Sequence, residues 1–359
     1  MKIGILTFTN TANYGASLQA YALQQVIKSK GHECDIIDYR CGSIIKMHDP
    51  KEVFKKKGIK KRITAPLMYY VYKKRLDEFR KFEREYCSFS DPCSKKSIAK
   101  ISKGYDRIIV GSDQVWNTEL TNCDMSFFLG FLKGNEKKYS YAASIEKSAL
   151  SNYINGAVEY IKQFNNISCR ESSAAEQLKE MTGRNDITCD VDPTLLIGEK
   201  WKKFVTKKKA KDDYIFMYLL PEEKELFDRI RAFAKKNNCK IILLRKGIRR
   251  FKGIKTVSVA SPIDFINYIA KAKYVISGSF HALCFSLMLG VEYYVTPSLV
   301  KERSSRLTDF LNVIETQERF TGYSSYCFTE SKIDYKKARG LLQKSVNESL
   351  KTIDHILSE

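Results

Sequence analysis

The chain has 359 residues, a length that corresponds to roughly two to three domains and allows a large buried core. Its composition of 43% hydrophobic and 29% charged residues, with only 7 prolines, excludes a disordered, collagenous or low-complexity protein. The 62 lysines and arginines outnumber the 41 aspartates and glutamates, which leaves a net charge of +21. This surplus favours polyanions, anionic lipid surfaces or small anionic substrates as partners, and charge alone does not choose among them.

Cysteine and histidine usage argues against a zinc site of standard spacing, because the 10 cysteines are scattered without a CxxC pair and there are only 4 histidines. We interpret the cysteines as reduced thiols. A strand pattern follows directly after Met1 without the features of a secretory leader, and the chain contains no uncharged run of about 18 apolar residues. We therefore expect a cytoplasmic protein that does not cross a membrane, with peripheral contact at the inner face of the membrane left open.

The first half of the chain alternates strands with helices. An apolar run at residues 2–7 predicts a strand, and after a polar loop the spacing of apolar residues over 15–30 predicts a helix. Further strands are predicted at residues 34–39, 107–110 and 139–143. Alternation at this pitch is typical of a parallel sheet with helices on its faces.

A second series of the same kind begins near residue 213. Its predicted elements are the strands 214–220, 240–245, 256–260, 274–277 and 292–296 and the helices 222–236, 262–272 and 281–290. The polar, lysine-rich segment 195–212 between the two series is typical of a linker. We expect an α/β fold of two Rossmann-like domains, residues 1–200 and 201–300, whose parallel sheets face a central cleft. Residues 301–359 are expected to form a helical segment that packs back across the domains.

Residues 41–100 interrupt the first domain and are strongly basic, with 17 lysines and arginines against 7 aspartates and glutamates. Apolar residues recur there at helical spacing: Met68, Tyr72, Leu76, Phe79, Phe82 and Tyr86. One interpretation is a helix docked on the core with a solvated basic face, which is the usual fate of a charged segment. The other is a landing surface for an acidic lipid or a lipid-linked substrate.

Three loops have the form of a strand, a loop and a helix start, at residues 9–16, 111–117 and 277–281. The first turn of a helix leaves backbone N–H groups unpaired, so each loop is a candidate anion site. In the first loop, Asn13 and Tyr14 stand at the predicted helix start and are candidate substrate ligands.

The second loop carries Asp113, Gln114, Trp116 and Asn117. Asp113 and Gln114 either cap a turn or position a substrate hydroxyl. Trp116 and Asn117 suggest a surface that stacks on a sugar or forms hydrogen bonds with it.

His281 follows the third predicted strand and opens a predicted helix, at the sheet edge where ligands of open α/β folds bind. Its imidazole can take up or release a proton near neutral pH, although a lone histidine is usually structural.

Three arginines are candidate ligands for an anionic substrate, namely Arg170, Arg303 and Arg306. A guanidinium grips phosphate or carboxylate through two parallel hydrogen bonds, and an ordinary surface ion pair is the alternative for each. The DxD pattern at residues 190–192 invites a metal interpretation. We discount it because it is short and a proline follows it, as in a turn. Neither a P-loop nor GxGxxG is present, which argues against an NTPase or a dinucleotide dehydrogenase.

Several segments together resemble the polysaccharide pyruvyl transferase family, and they span nearly the whole chain in the family's order. They are NTANYGASLQAYAL (10–23), YDRIIVGSDQVWN (105–117), SYAAS (140–144), ISCRE (167–171), DPTLL (192–196), SPIDFINYIAKAKYVISGSFHALCFSLMLG (261–290) and RSSR (303–306). The resemblance implies a GT-B-like fold and transfer of a pyruvyl group from phosphoenolpyruvate to sugar hydroxyls. The product is usually a ketal that bridges two hydroxyls, made during synthesis of surface polysaccharide such as exopolysaccharide or capsule.

The resemblance also implies roles for particular residues. His281 is the expected acid or acid/base, and Asp113 is expected to orient or deprotonate the acceptor hydroxyl. Arg170 and Arg306 are expected to bind the donor's phosphate and carboxylate. The remaining candidate substrate ligands are Asn13, Tyr14, Gln114, Trp116, Asn117, Ser279 and Arg303.

The expected partners are phosphoenolpyruvate, bound on the side of the C-terminal domain, and a lipid-linked or nucleotide-linked sugar, bound on the side of the N-terminal domain. No metal or organic cofactor is expected, because the donor is already activated. The alternative enzyme class is a GT-B glycosyltransferase that uses a nucleotide sugar. A nucleic-acid binder is suggested only by the charge of +21, and because no recognised nucleic-acid module is present we expect no such partner.

Overall fold

The computed structural model describes residues 1–55, 59–133, 138–145, 155–297, 304–322 and 326–358. Its first sheet is parallel, with strand order β2-β1-β3-β4. The strands are β1 (Lys2–Leu6), β2 (Glu33–Ile36), β3 (Arg107–Val110) and β4 (Lys138–Ser140). A separate pair of two-residue parallel strands follows, β5 (Ser168–Cys169) and β6 (Thr188–Cys189). Ala143 forms an isolated parallel bridge to Cys169, which places this pair beside the first sheet.

The helices associated with these strands vary widely in length. They are α1 (Tyr14–Ser29), α2 (Gly42–His48), α3 (Ile59–Tyr86), α4 (Ile98–Ser102), α5 (Thr118–Thr121), α6 (Asn155–Ile161), α7 (Ser172–Thr182) and α8 (Pro193–Leu196). Short 3-10 helices occur at Pro50–Lys55 and Met125–Phe128.

The second sheet is also parallel, with strand order β11-β10-β7-β8-β9. Its strands are β7 (Tyr214–Tyr218), β8 (Lys240–Leu244), β9 (Lys255–Val257), β10 (Tyr274–Ser277) and β11 (Glu292–Val295). The accompanying helices are α9 (Lys224–Lys236), α10 (Pro262–Ala270), α11 (Phe280–Leu289), α12 (Ser304–Val313) and α13 (Tyr335–Ser358), with 3-10 helices at Gly198–Phe204 and Gln317–Arg319. The predicted α/β class with parallel sheets is confirmed.

The chain divides into two compact units. The first unit consists of Met1–Lys56, Phe79–Ile197 and Ser345–Glu359, and the second of Lys57–Glu78 and Gly198–Lys344. The change from one unit to the other at Ile197 lies close to the expected boundary at residue 200. Two long helices, α3 and α13, each contribute residues to both units, so neither the basic segment 41–100 nor the C-terminal segment belongs to a single unit. A 28-residue helix such as α3 is ~42 Å long, which exceeds the span of one small sheet layer.

Helix α1 shows why the first unit folds as it does. Asn13 caps the helix, because its side-chain oxygen accepts the N–H of Gly15 at 3.0 Å. The helix is almost entirely buried, and even Gln19 and Gln24 have no exposed surface. Gln24 donates to the backbone oxygens of Cys34 and Ser88, so the helix is fixed to β2 by polar bonds as well as by packing.

The amphipathic stripe predicted for residues 68–86 lies on helix α3. In the first unit, Phe79 packs on Tyr14 with ring centroids 4.8 Å apart, and Phe82 packs edge-on against Tyr21 at 5.8 Å. Farther towards the N-terminus, α3 is less buried, since Leu67 is 54% exposed. The core-docked interpretation therefore describes the C-terminal part of the helix.

Helix α13 is anchored through specific polar contacts within each unit. In the second unit, the guanidinium of Arg339 donates to the backbone oxygens of Leu287 and Met288, the last carbonyls of α11. In the first unit, Ser349 accepts the backbone N–H of Val191 at 2.9 Å. Among the described helices, none is both long enough and apolar enough to cross a bilayer.

Candidate functional site

The direction in which the chain adds strands to the first sheet reverses between β1 and β3. The chain passes from β1 to β2 on one side and then returns to β3 on the other, so the loops after β1 and β3 diverge at adjacent carboxyl ends. Open α/β sheets bind their ligands at such switch points. The predicted loops 9–16 and 111–117 both begin there.

Gly111 fixes the path of the loop after β3. Its φ of +128° is a conformation that L side chains rarely adopt, and an added Cβ would lie 2.1 Å from the backbone oxygen of Tyr141. The next residue, Ser112, donates its N–H to the side-chain oxygen of Gln19 at 3.0 Å. Gln19 in turn donates to the hydroxyl of Thr7 at 2.9 Å, so one buried amide joins the two loops of the switch point.

Asp113 serves two purposes through its two carboxylate oxygens. Oδ1 accepts the backbone N–H of Gln114 at 2.9 Å, which is the turn-capping role considered for it. Oδ2 is buried and has no hydrogen-bond partner among the described residues. The backbone oxygen of Asp113 accepts the N–H of Ser144 at 3.0 Å, which holds the loop rigidly. A fixed carboxylate oxygen without a partner is suited to accept a proton from a ligand hydroxyl.

Arg170 lies directly after β5 with its side chain only 3% exposed. Its Nη1 lies 2.8 Å from Oδ2 of Asp192, and its Nε lies 3.3 Å from Oε1 of Glu171. The same oxygen of Glu171 accepts the hydroxyl of Ser144 at 2.7 Å, which links the arginine to the segment held by Asp113.

The electrostatic environment of Arg170 is dominated by carboxylates. Burial by itself lowers the pKa of the guanidinium. The charges of Glu171, Asp192 and Asp113 outweigh that effect and raise the pKa above its ordinary value. One cation therefore faces three carboxylates, and we call these four residues the carboxylate cluster. Its surplus of negative charge disfavours the binding of an anion.

The DxD aspartates are both occupied by protein donors. Oδ1 of Asp192 caps α8 by accepting the N–H and the hydroxyl of Thr194 at 3.0 and 2.7 Å. Oδ2 of Asp190 accepts the hydroxyls of Ser168 and Thr188 at 2.6 and 2.7 Å. Throughout the described part of the chain, no group of three or more His, Cys, Asp or Glu side chains is arranged to hold a metal ion.

The predicted sugar-stacking surface at Trp116 is wrong. Its side chain is 0% exposed, stacks on Phe128 at 6.0 Å and donates its indole N–H to the backbone oxygen of Phe127 at 2.9 Å. Asn117, 2% exposed, caps α5 instead of facing a ligand, since its side-chain oxygen accepts two backbone N–H groups. Spacing along the sequence does not distinguish a buried tryptophan from one at a binding surface, because both follow an apolar strand.

The first loop and Gln114 show mixed outcomes. Tyr14 is 0% exposed and packs in the core, so it is not available to a substrate. Asn13 is exposed, and its oxygen is engaged as the cap of α1. Gln114 is 9% exposed beside Asp113 and remains a candidate ligand.

The second sheet has its own switch point, between β7 and β10. The hydroxyl of Ser277, at the end of β10, donates to the backbone oxygen of Tyr218 and accepts the N–H of Ser279 at 3.1 Å. The intervening Gly278 is closely surrounded, because an added Cβ would lie 2.7 Å from the backbone oxygen of Leu219 and 2.9 Å from that of Pro297. The loop that leads into α11 is therefore held from both neighbouring strands.

His281 is the second residue of α11. Ser279 caps this helix by accepting the N–H of Ala282 at 3.4 Å, and the imidazole of the half-buried His281 stands at the first turn. The positive end of the helix dipole and the N–H groups of the first turn favour an anion here.

Arg306 joins this helix start from α12. Its guanidinium lies 5.3 Å from the centre of the Phe280 ring, and Phe280 also meets Phe310 of the same helix edge-on at 5.3 Å. The guanidinium of Arg306 and the imidazole of His281 therefore both lie beside the Phe280 ring at the start of α11, and we call Ser279, His281 and Arg306 the helix-start cluster. Arg303 lies outside the described residues.

Sequence reasoning missed Gln19, Glu171 and Asp192 as parts of the first site. The available signal for Gln19 was a polar residue inside an otherwise apolar helix. Glu171 and Asp192 gave no such signal, because their importance depends on meeting Arg170 and Asp113 across long stretches of chain.

The solved structures with similar folds include enzymes in complex with uridine nucleotides. An alpha-glucosyltransferase in complex with UDP and a 13-mer DNA matches with a TM-score of 0.53 and 10% identity, over 97% of this chain and 90% of that one. The UDP-GlcNAc 2-epimerase of Methanocaldococcus jannaschii matches with a TM-score of 0.52 and 12% identity, over 100% of this chain and 99% of that one. Both have GT-B folds, which confirms the predicted GT-B-like class; at this identity the likeness shows the fold alone.

Sequence comparison is more specific. No curated protein is a significant match to the chain. The family model described as polysaccharide pyruvyl transferase matches residues 13–295, a span that contains both the carboxylate cluster and the start of α11. The chain belongs to the polysaccharide pyruvyl transferase family.

Proposed function

We propose that the protein transfers a pyruvyl group from phosphoenolpyruvate to hydroxyls of a sugar and closes a ketal, as a step in surface polysaccharide synthesis. The observation that carries the proposal is the helix-start cluster, in which His281 stands at the positive end of α11 with Arg306 beside the same turn. Phosphoenolpyruvate offers a phosphate and a carboxylate to such a cluster, and its reaction begins with a proton transfer.

The donor is assigned to the second unit. The first-turn N–H groups of α11 and the guanidinium of Arg306 supply hydrogen-bond donors for its two anionic groups. His281, in its protonated form, gives a proton to the methylene carbon C3. The methylene carbon becomes a methyl group, and C2 becomes an electrophilic oxocarbenium-like carbon whose positive charge is shared with the ester oxygen.

The acceptor hydroxyl attacks C2 and releases its proton to a base. The proposed base is Oδ2 of Asp113, the buried oxygen that lacks a hydrogen-bond partner among the described residues. Departure of phosphate regenerates an electrophilic C2, and the second hydroxyl closes the ring and releases its own proton. The two hydroxyl protons replace the one taken up at C3 and supply one to the departing phosphate, so the reaction balances without a cofactor.

Arg170 has a different place in this scheme from Arg306. Its neighbours are carboxylates, so its positive charge offsets the negative charges of Glu171, Asp192 and Asp113. Direct contact of Arg170 with the donor would require its planar guanidinium, whereas balancing the charge of its neighbours requires only a positive charge. Arg170→Lys keeps the charge but loses the planar fork, so binding of phosphoenolpyruvate that survives in Arg170→Lys supports charge balance, and binding lost in both Arg170→Lys and Arg170→Ala supports direct contact.

The N-terminal part of α3 supports peripheral membrane contact as part of the proposal. Leu67 and Tyr70 are 54% and 53% exposed, and the ammonium of Lys74 lies 4.8 Å from the Tyr70 ring. An apolar and basic surface of this kind suits an anionic bilayer, where a lipid-linked acceptor resides. We expect sedimentation with anionic liposomes to fall in Leu67→Glu/Tyr70→Glu; equal sedimentation of the variant and the native protein would remove this part of the proposal.

The activity is tested by incubating the protein with phosphoenolpyruvate and a panel of nucleotide-linked and lipid-linked sugars. Acceptor-dependent phosphate release, with a pyruvyl ketal found on the sugar by mass spectrometry, is the expected result. Transfer or hydrolysis of a nucleotide sugar without any use of phosphoenolpyruvate would instead establish the glycosyltransferase alternative.

A further inference from the structure

A second cationic site lies in the second unit, in a cavity of about 200 Å³ at the carboxyl ends of β7 and β8. One wall is Leu219, whose backbone oxygen accepts the N–H of Gly278 at 3.1 Å. The cavity is therefore next to the loop that carries the helix-start cluster, but it is built from different residues. Neighbouring strands lie about 4.8 Å apart, and β8 is the second strand from β10, so the two sites are separated by the width of roughly two strands.

Three cationic side chains line this cavity, Arg75 from α3 and Arg245 and Lys246 after β8. Glu222 is the only carboxylate among the described residues that line it. Glu222 is already engaged, since it pairs with Arg245 at 2.7 Å and with Arg249 at 3.0 Å. The lining therefore keeps a surplus of positive charge.

Arg75 and Lys246 both carry a positive charge and line the same cavity. Arg75 is 2% exposed and is hydrogen-bonded to Tyr218, which fixes its guanidinium at the end of β7. Lys246 is exposed, but many protein atoms surround its ammonium group. This crowding, and then the charge of Arg75, lower the pKa of Lys246 to about 8. A bound anion would reduce the repulsion between these two cations.

The rest of the lining is apolar and includes Leu219, Leu220 and Phe227. A small inorganic anion would leave this apolar surface uncovered. In a diphosphate that bears an organic group, the charged part contacts the cations and the organic part covers the apolar surface.

We infer that this cavity binds the diphosphate group through which the acceptor sugar is linked to its carrier. The inference rests on the proposed function, in which the donor's anionic groups occupy the start of α11 and the acceptor brings its own. A nucleoside diphosphate and an isoprenoid diphosphate share this chemistry, and the experiment distinguishes them.

The test is calorimetric titration with uridine 5′-diphosphate and farnesyl diphosphate, using the native protein, Lys246→Gln and the control Lys252→Gln. Lys252 is an exposed lysine of the same unit that does not line the cavity. We expect saturable binding of at least one diphosphate, weakened about 10-fold or more in Lys246→Gln and unchanged in Lys252→Gln, since a charge-assisted hydrogen bond contributes an effect of this size. The diphosphate that binds more tightly identifies the carrier class.

Two further results separate this inference from the proposed function. Phosphoenolpyruvate is titrated in parallel, and its affinity is expected to be the same in Lys246→Gln as in the native protein. Binding of phosphoenolpyruvate without binding of either diphosphate would overturn the inference and leave the proposed function standing. Diphosphate binding that depends on Lys246, without any binding of phosphoenolpyruvate, would support diphosphate binding in the cavity and count against the proposed function.

Equal diphosphate affinity in Lys246→Gln and Lys252→Gln would overturn the inference directly. Arg75→Lys provides a second variant that retains the charge, and it is expected to bind more tightly than Lys246→Gln.

Discussion

The two switch points of the chain have the same topology and opposite electrostatics. At the first switch point, Asp113 in the loop after β3 belongs to the carboxylate cluster, in which the charges of Glu171, Asp192 and Asp113 act on the guanidinium of Arg170. In the second sheet, the corresponding loop leads to a helix N-terminus that bears His281, with the cation Arg306 beside it. The same parallel-strand architecture thus offers one site suited to accepting protons and another suited to holding an anion, and the difference lies in the residues that follow the strands.

The largest expected effect is on catalysis at the helix-start cluster. His281→Asn is expected to lower kcat for acceptor-dependent phosphate release about 10²–10⁴-fold, because it removes the proton that C3 requires. Binding of phosphoenolpyruvate is expected to remain, since the first-turn N–H groups and Arg306 are unchanged. A kcat close to the native value would contradict the assignment of His281 and, with it, the division of roles between the two sites.

The next effect concerns the stability of the carboxylate cluster. Arg170→Ala removes the only cation of this cluster and is expected to lower the free energy of unfolding by about 3–5 kcal/mol, because it leaves buried carboxylates unpaired. Arg184→Ala is the control, since Arg184 lies in the same unit in a more exposed ion pair with Asp186. Similar losses for the two variants in urea unfolding would show that the cluster is not the tightly coupled group described above.

The half-buried Glu83 is another carboxylate of the first unit and extends the comparison. Burial raises its pKa to about 7, although the hydroxyl of Ser17 donates to it and opposes the shift. A carboxyl whose folded pKa lies above its unfolded value binds a proton more readily in the folded state, so its contribution to stability is lost as pH rises from about 4.5 to 7. Glu83→Gln is therefore expected to be more stable than the native protein at pH 8, by as much as about 3 kcal/mol.

Urea unfolding of Glu83→Gln and the native protein at pH 5 and pH 8 checks this expectation. The difference between the two proteins should grow with pH. A difference that is the same at both pH values would mean that Glu83 ionises normally in the folded protein.

The smallest expected effect concerns the loop that leads into α11. Gly278→Ala places a methyl group 2.7 Å from the backbone oxygen of Leu219 and is expected to cost about 1–3 kcal/mol of stability. Gly340→Ala in α13 is a matched control, since nothing lies within 4 Å of its added Cβ and alanine favours a helix. We expect the control to be neutral or stabilising in thermal unfolding. Equal thermal stability of the two variants would show that the loop accommodates the added methyl group and does not hold His281 rigidly in place.

Much of the local structure was predictable from the sequence. Strands β3 and β10 have the predicted bounds, and α11 begins one residue before the predicted start at His281. Such elements are recognisable because their apolar runs are bounded by glycine and polar residues. The two-residue strands β5 and β6 are too short to show any periodicity, and they were not predicted.

The sites were less predictable than the strands. The position of His281 followed from local order alone, since a strand precedes it and a helix follows. The environment of Arg170 did not, because Asp113 and Asp192 reach it only through the fold. Trp116 was wrongly placed at a surface for the same reason: local sequence does not show what a side chain packs against.

The assignment of the donor to the start of α11 is tested most directly by titrating phosphoenolpyruvate into the native protein, Arg306→Ala, Arg229→Ala and His281→Asn. Arg229 is a 59% exposed arginine on α9 and serves as the control. The expected result is saturable binding by the native protein and Arg229→Ala, retained in His281→Asn and weakened about 10–100-fold in Arg306→Ala, where a charge-assisted contact to the donor is lost. Binding that is absent in the native protein, or unaffected by Arg306→Ala, would contradict the assignment of the donor to the start of α11.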